Sequence, residues 1–497
     1  MDPLQQIIHS LTPPEKRYFK IFASTFKTGS DLVLLYDELE KEKEANDKQL
    51  SALLGIKNIA VAKSNLRALL LKAMRNFREE HNVGDRIRSS LSEIEFLTNK
   101  NLKAEARKEI KKLTKLVNDS EMHYASAELA MRSVLNMEPI KDREAMFAFF
   151  DKMEAQISTA ATNMAEMYVA VLFHSRNTRY MNTFDYENPA LRKTYSDAFL
   201  KEALQRIDSV TSVRARVVYT EMAAAHYNTH GEKEKAGTLY QKNMQAFQDN
   251  PSLLEAPKTF FFSSISNYIV FSLDTNQPKL TAQLLAKLEK WVADSKAFFV
   301  TNPDVLIRVQ YRVLSTKIWL CKVYQQPKEM LDLEPELENL LNAAGNESQP
   351  TLPAIMTIRF ASVLVQHKLF EKGHYWLEKY FALPTAKHVK VMYHTARLLE
   401  VMLFYNQGQL DLADSKAINF YKSINDAGIE DPFYILLGKF LRKLCKWHFK
   451  QPKDAAECKA LLSEMEALLQ QRQDSTAGLF FEIFDLRTWW KEQLKQA

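Results

Sequence analysis

Glycine is scarce in this chain: 11 of 497 residues, beside 16 prolines. So few turn-formers exclude a protein of strands and hairpins, which would need a glycine or proline signal about every ten residues. Three cysteines, Cys321, Cys445 and Cys458, are too few and too scattered for a disulfide framework. They fit a reducing compartment, and the cytoplasm is expected. The most apolar run, Thr259 to Leu273, is broken by Ser263, Ser264, Ser266 and Asn267 and falls short of the ~20 residues that a membrane-crossing helix needs. It reads as a buried helix, and no membrane partner is expected. The N-terminus has no basic region followed by an apolar core, so no secretion signal is expected. Motifs for phosphate cradles and for activated nucleophiles are missing too: GxGxxG, GxxxxGK, GxSxG, DFG and HRD do not occur.

What is present is helical periodicity. Apolar residues make up 46% of the chain and charged residues 26%, the balance of a globular protein, and they recur every three or four positions almost throughout. At 497 residues the chain exceeds what one hydrophobic core serves, so several domains or an elongated array are expected. The net charge of +6 is mild, and lysines and arginines are interleaved with acids, which predicts a mixed-charge surface.

The first 85 residues read as a small helical module. Thr12, Pro13, Pro14 and Glu15 spell a capping box that opens a helix over Pro13 to Thr25, with a stripe of Tyr18, Phe19, Ile21, Phe22 and Phe26. A second helix is expected over Asp31 to Glu44 and a short one over Lys48 to Leu54, capped by Asn46 or Asp47. Gly55 then separates it from a long helix that opens near Asn58 and carries Val61, Leu66, Leu69, Leu70, Ala73 and Phe77. Short helix, glycine, long helix is the order of a helix-turn-helix, with Lys57, Lys63, Arg67 and Lys72 on the candidate recognition helix. A plain hairpin capping the array is the favoured alternative, because Ser64 stands where that motif usually has an aliphatic residue.

From residue 86 to 497 the pattern is one of paired helices joined by short turns, with a candidate break near 343–353. In Thr220 to Tyr240, Ala224 and Tyr227 lie on one helix, Gly231 makes the turn, and Ala236 and Tyr240 lie on the next. Alanines let two helices approach, glycine tolerates the turn, and tyrosines fill the groove between neighbours. A second unit has Val401, Phe404, Gly408, Ala413, Ala417 and Phe420. A third has Ala361, Leu364, Lys368 in place of the turn glycine, then Gly373, Leu377 and Tyr380. Weaker echoes run through Leu102, Ala106 and Ile110, and through Ile269, Asn276, Leu284 and Leu288. These units resemble tetratricopeptide repeats. With Ser10 to Ser24 at one end and Phe484 to Trp490 at the other, the chain resembles a bacterial family of tetratricopeptide-like proteins of unassigned function. The resemblance implies an all-α solenoid of degenerate helix pairs behind a small N-terminal module; it implies no activity, cofactor or site residue.

Candidate chemistry is sparse. His226 and His230 are four apart but a turn follows, and two partly exposed histidines at a helix end are expected rather than a metal site. His367 and His374 read the same way. Cys445 is expected to pack in an apolar stripe with Leu441 and Leu444. Lys100, Lys103, Arg107, Lys108, Lys111, Lys112 and Lys115 form a basic run interleaved with Glu105 and Glu109, which predicts ion pairs along one helix. Lys439, Arg442, Lys443, Lys446 and Lys450 around Trp447 would suit a nucleic acid or an acidic peptide, although a solvated helix face is the simpler reading. No nucleophile, base and orienting group can be nominated, so a non-enzymatic scaffold or adaptor is expected, with no cofactor or metal and with a protein or peptide partner. Its inner face would include Glu221, Ala225, Asn228, Ser362, Gln366, Leu398, Met402 and Tyr405; nucleic acid is the less favoured partner.

Overall fold

Helix caps and a turn conformation, repeated along the chain, set the architecture. The computed structural model describes residues 2–26, 29–41, 46–120, 122–138, 140–183, 189–254, 258–342, 351–384, 386, 390–426, 432–447, 452–471 and 489. Among the described residues the chain is all-α, a helical-repeat array of the α-solenoid kind in which helices pack on their neighbours in chain order. The chain opens with α1 (Pro3–Ser10), α2 (Pro13–Ser24), α3 (Gly29–Lys41), α4 (Asp47–Leu54) and α5 (Ile59–His81). There follow α6 (Val83–Asn99), α7 (Lys103–Ser120), α8 (His123–Leu135), α9 (Arg143–Thr183), α10 (Pro189–Ser209), α11 (Val213–Thr229) and α12 (Lys233–Asp249). The chain continues through α13 (Thr259–Asp274), α14 (Pro278–Asp294), α15 (Lys296–Val300), α16 (Pro303–Val323), α17 (Pro327–Leu331) and α18 (Glu334–Leu341). It closes with α19 (Thr351–Gln366), α20 (Phe370–Ala382), α21 (Lys390–Asn406), α22 (Leu410–Asp426), α23 (Pro432–Trp447) and α24 (Pro452–Gln471). Two compact units divide it, Met1–Asn267 with Lys290–Val305 and Tyr268–Glu289 with Leu306–Ala497. Most of the candidate break, residues 343–350, lies outside the described residues.

The capping box that opens α2 forms as expected: the Thr12 N–H donates to Glu15 Oε2 at 2.8 Å while Thr12 Oγ1 accepts the Glu15 N–H. The stripe of α2 is narrower than its sequence predicts. Phe19 and Ala23 are buried, but Ile21 is 59% exposed and Phe26 37%. An unanticipated helix, α1, supplies Leu4 and Ile8 to the same core, where they join Leu35, Tyr36, Leu39, Leu66 and Leu70.

Six turns share one geometry. Asn101, Gly231, Asn276, Gln325, Lys368 and Gly408 all adopt left-handed φ, between 50° and 78°. Each stands two residues after one helix ends and two before the next begins. The N–H of the following residue donates back five residues: Leu102 to Leu97, Glu232 to Tyr227, Gln277 to Ser272, Gln326 to Cys321, Leu369 to Leu364 and Gln409 to Phe404, at 2.8 to 2.9 Å. This Schellman closure satisfies carbonyls that a helix end leaves unpaired and folds the chain back on itself. Five residues beyond each left-handed position lies a buried contact, Ala106, Ala236, Thr281, Met330, Gly373 and Ala413. At Gly373 an added Cβ would lie 2.9 Å from Val365 Cγ2, so glycine there lets α20 sit against α19.

Four of the six left-handed positions carry a side chain, which costs about 1 kcal/mol each where the residue is neither glycine nor asparagine. Replacing Lys368 by glycine is expected to stabilise the protein by about 0.5 kcal/mol, the relief being partly offset by greater freedom of the unfolded chain. Gly408→Ala is expected to destabilise by about 1 kcal/mol, the backbone's cost alone, since nothing lies within 4 Å of an added Cβ. Urea midpoints of the two variants should therefore move in opposite directions.

Candidate functional site

Most residues of the expected binding face are buried. Of the residues assigned to it, Glu221 (3% exposed), Met402 (0%) and Tyr405 (5%) are buried, as are Ser362 and Leu398, so they cannot meet a partner as they stand. The reason is packing: α11 is enclosed nearly all round, from Arg214 to Ala224, and α21 almost as fully. Tyr405 packs edge-on against Trp489 at 5.7 Å, whose indole N–H donates to Asn406 Oδ1 at 3.1 Å. Asn228 and Gln366 are half-buried at helix ends, and Asn228 accepts a hydrogen bond from Lys233 Nζ at 2.7 Å across the turn.

Burial creates two polar clusters that the sequence does not announce. Ser264 Oγ and Asn267 Nδ2 of α13 hydrogen-bond the Glu221 carboxyl, each at 2.5 Å. Burial raises the carboxyl above its ordinary range, and the two bonds only partly oppose that shift. In the second cluster Ser196 Oγ lies 2.6 Å from His226 Nδ1, His226 Nε2 lies 2.9 Å from Asn177 Oδ1, and Asn177 Nδ2 donates to Met222 Sδ at 3.1 Å. Serine, imidazole and amide in that order resemble a nucleophile, its base and an orienting group. Ser196, however, is 1% exposed, so its oxygen meets α11 rather than a substrate. The chain of bonds joins α9, α10 and α11. His226, expected to be partly exposed, is instead buried, and burial with the nearby His230 pushes its imidazole down to about 4. Among the described residues no group of three or more His, Cys, Asp or Glu could hold a metal ion. Cys445 is buried as expected, and burial pushes its thiol up to about 12, the opposite of an activated thiolate.

The N-terminal helix-turn-helix order is present as α4, a left-handed Gly55 and α5. Lys57 and Arg67 are exposed, but Lys63 is tied to Asp2 at 2.6 Å and to Asp47 at 2.5 Å, with its side chain 14% exposed. Lys63 locks α1 and α4 to α5 and is not available to a duplex. The basic run on α7 is internally paired, Lys108 with Glu105 and Lys112 with Glu109, as expected.

The basic cluster near the C-terminus forms a groove. Lys439, Arg442, Lys443 and Lys446 follow i, i+3, i+4, i+7 spacing, which sets four cations on one face of α23 while Phe433, Leu437, Phe440, Leu441 and Leu444 bury the other. With Glu457, Ala460 and Leu461 of α24 they line an open groove of about 470 Å³. Glu457 pairs with Lys443, and among the described lining residues one carboxylate stands against four cations. Arg442 Nε is buried without a hydrogen-bond partner among the described residues. Lys450, grouped with these cations in sequence, lies outside the described residues. Compared with known proteins, the chain matches no family model and no curated protein sequence.

The two buried clusters give opposite pH dependences. His226 titrates near 6.5 when unfolded and near 4 when folded, so its contribution is present above pH 6.5 and lost as pH falls toward 4, by roughly 3 kcal/mol in all. Glu221 has a raised folded pKa, so its contribution is present below the ordinary carboxylate range and lost as pH rises through the folded value. Glu221→Gln is therefore expected to raise the urea midpoint at pH 8, and His226→Gln to flatten the acid limb between pH 6.5 and 4.

Proposed function

We propose that the protein is a non-enzymatic, cytoplasmic scaffold that holds an acidic segment of a partner protein in the groove between α23 and α24. The observation that carries this reading is the groove itself: four cations on one helical face, a single carboxylate among the described lining residues and an apolar floor at Leu461. Lys and Arg stems cover apolar surface while their heads reach a carboxylate, so an extended Asp- or Glu-rich peptide fits both the charge and the channel. The six turns support the scaffold reading, since stacked helix pairs offer side chains along an extended surface. Glu221, Ser362, Leu398, Met402 and Tyr405 of the expected inner face are buried, whereas Lys439 and Lys446 of α23 are exposed and Arg442 and Lys443 half-buried.

A DNA-binding regulator is the second reading, favoured by one observation, the α4–Gly55–α5 geometry with Lys57 and Arg67 exposed. The engagement of Lys63 by two aspartates weighs against it.

Fluorescence anisotropy separates the two. A labelled Glu-rich peptide should bind at low salt and weaken with rising salt, and Arg442→Glu with Lys446→Glu should reduce affinity by about tenfold or more while Arg67→Glu leaves it unchanged. Peptide binding that survives the groove double variant, or retention of duplex DNA lost in Arg67→Glu, would reject the groove in favour of the second reading.

A further inference from the structure

We propose that α9 pairs with α9 of a second copy of this chain, in antiparallel orientation. This site lies on other helices than the α23–α24 groove and stands independently of it. The helix runs 41 residues and buries Met153, Ala160, Ala170 and Phe173 against its own unit. Its solvent face does not look like a solvent face. Phe147 (50% exposed), Phe150 (39%), Tyr168 (65%) and Leu172 (68%) lie on it, with Ala161 and Ala165 also exposed between them. At about 100° per residue these six positions fall within roughly 60° of one another, a straight stripe about 37 Å long. Between Phe147 and Leu172, Glu154 is the one charged residue on that line; Arg143, one turn before Phe147, lies over its ring at 5.5 Å. The contrast with α7 is direct: its exposed face is rich in lysine and carries the pairs Lys108–Glu105 and Lys112–Glu109.

The stripe is nearly its own mirror when the sequence is reversed. About a midpoint between Thr159 and Ala160, Phe147 corresponds to Leu172, Phe150 to Val169, Glu154 to Ala165 and Ser158 to Ala161. A two-fold axis at that midpoint therefore sets each aromatic end against the aliphatic and tyrosine end of the other copy. Small residues meet at the centre, where close helix approach needs them. Side chains lean toward a helix N-terminus, which brings Tyr168 of one copy beside Glu154 of the other, where its hydroxyl can donate to the carboxylate. From their fractional exposures these side chains can bury at most roughly 550 Å² per copy, about 1,100 Å² per pair, which reaches the ~1,000 Å² that a specific interface needs when the stripe is fully covered.

The test is the mass of the full chain in solution with a site-specific cross-link. Light scattering at about 50 μM should give twice the chain mass of 57.5 kDa, and Tyr168→Glu with Leu172→Glu should give 57.5 kDa with an unchanged far-ultraviolet circular dichroism spectrum. The described cysteines are all buried, so Ala161→Cys introduces an exposed thiol near the proposed axis and should oxidise to a linked dimer; Phe147→Cys, far from it, should not. A wild-type monomer at that concentration would mean that the stripe serves a different protein and would overturn the pairing. So would a dimer that survives the double variant, or cross-linking at residue 147 in place of 161.

Discussion

A helix cannot reverse direction without leaving carbonyls unpaired, and the solution this chain repeats is a left-handed residue closed by a bond from the next N–H to the carbonyl five residues back. That closure fixes where one helix stops and the next starts, always two residues away on either side. It also fixes which residue, five positions on, is pressed into the seam. Ala236 and Ala413 are small and Gly373 has no side chain because the seam leaves little room there. Met330 fills the same position on α17, which is only five residues long.

Once the turns are set, burial follows, and with it the chemistry of the interior. Helices covered on several sides carry polar residues into places where water cannot reach. Each must then find a protein partner: Glu221 with Ser264 and Asn267, His226 with Ser196 and Asn177. These groups tie non-adjacent parts of the chain together and shift their own titration as a result. The outer surface divides by the same logic. α7 keeps a paired, mixed-charge face, α23 an excess of cations, and α9 an apolar stripe. The last two are surfaces that water alone does not explain.

Much of the fold is legible in the residues. Glycine at 231 and 408 marks two of the turns directly, and the register of small and aromatic residues reveals a third at Lys368 although its residue type does not. Gln325 carries no such mark, because a glutamine in a left-handed turn looks like any surface glutamine. Burial of individual polar residues is less legible. Glu221 is polar and so suggests exposure, whereas its partners lie more than forty residues away on α13, beyond any local pattern. Lys63 misleads in the same way, since Asp2, which captures it, caps a helix too short to show a periodicity. The cations of α23 were legible as a spacing, but the groove required α24 beside them.

The repeated turn is tested most directly by native-state hydrogen exchange resolved to single amides. The N–H groups of Leu102, Glu232, Gln277, Gln326, Leu369 and Gln409 follow a left-handed residue and lie outside regular helix, where unbonded amides exchange freely. The account predicts that all six exchange far more slowly than unbonded amides of surface loops, because each is committed to a carbonyl five residues back. Exchange of these six at the rate of open loop amides would show that the helix pairs are not closed in this way.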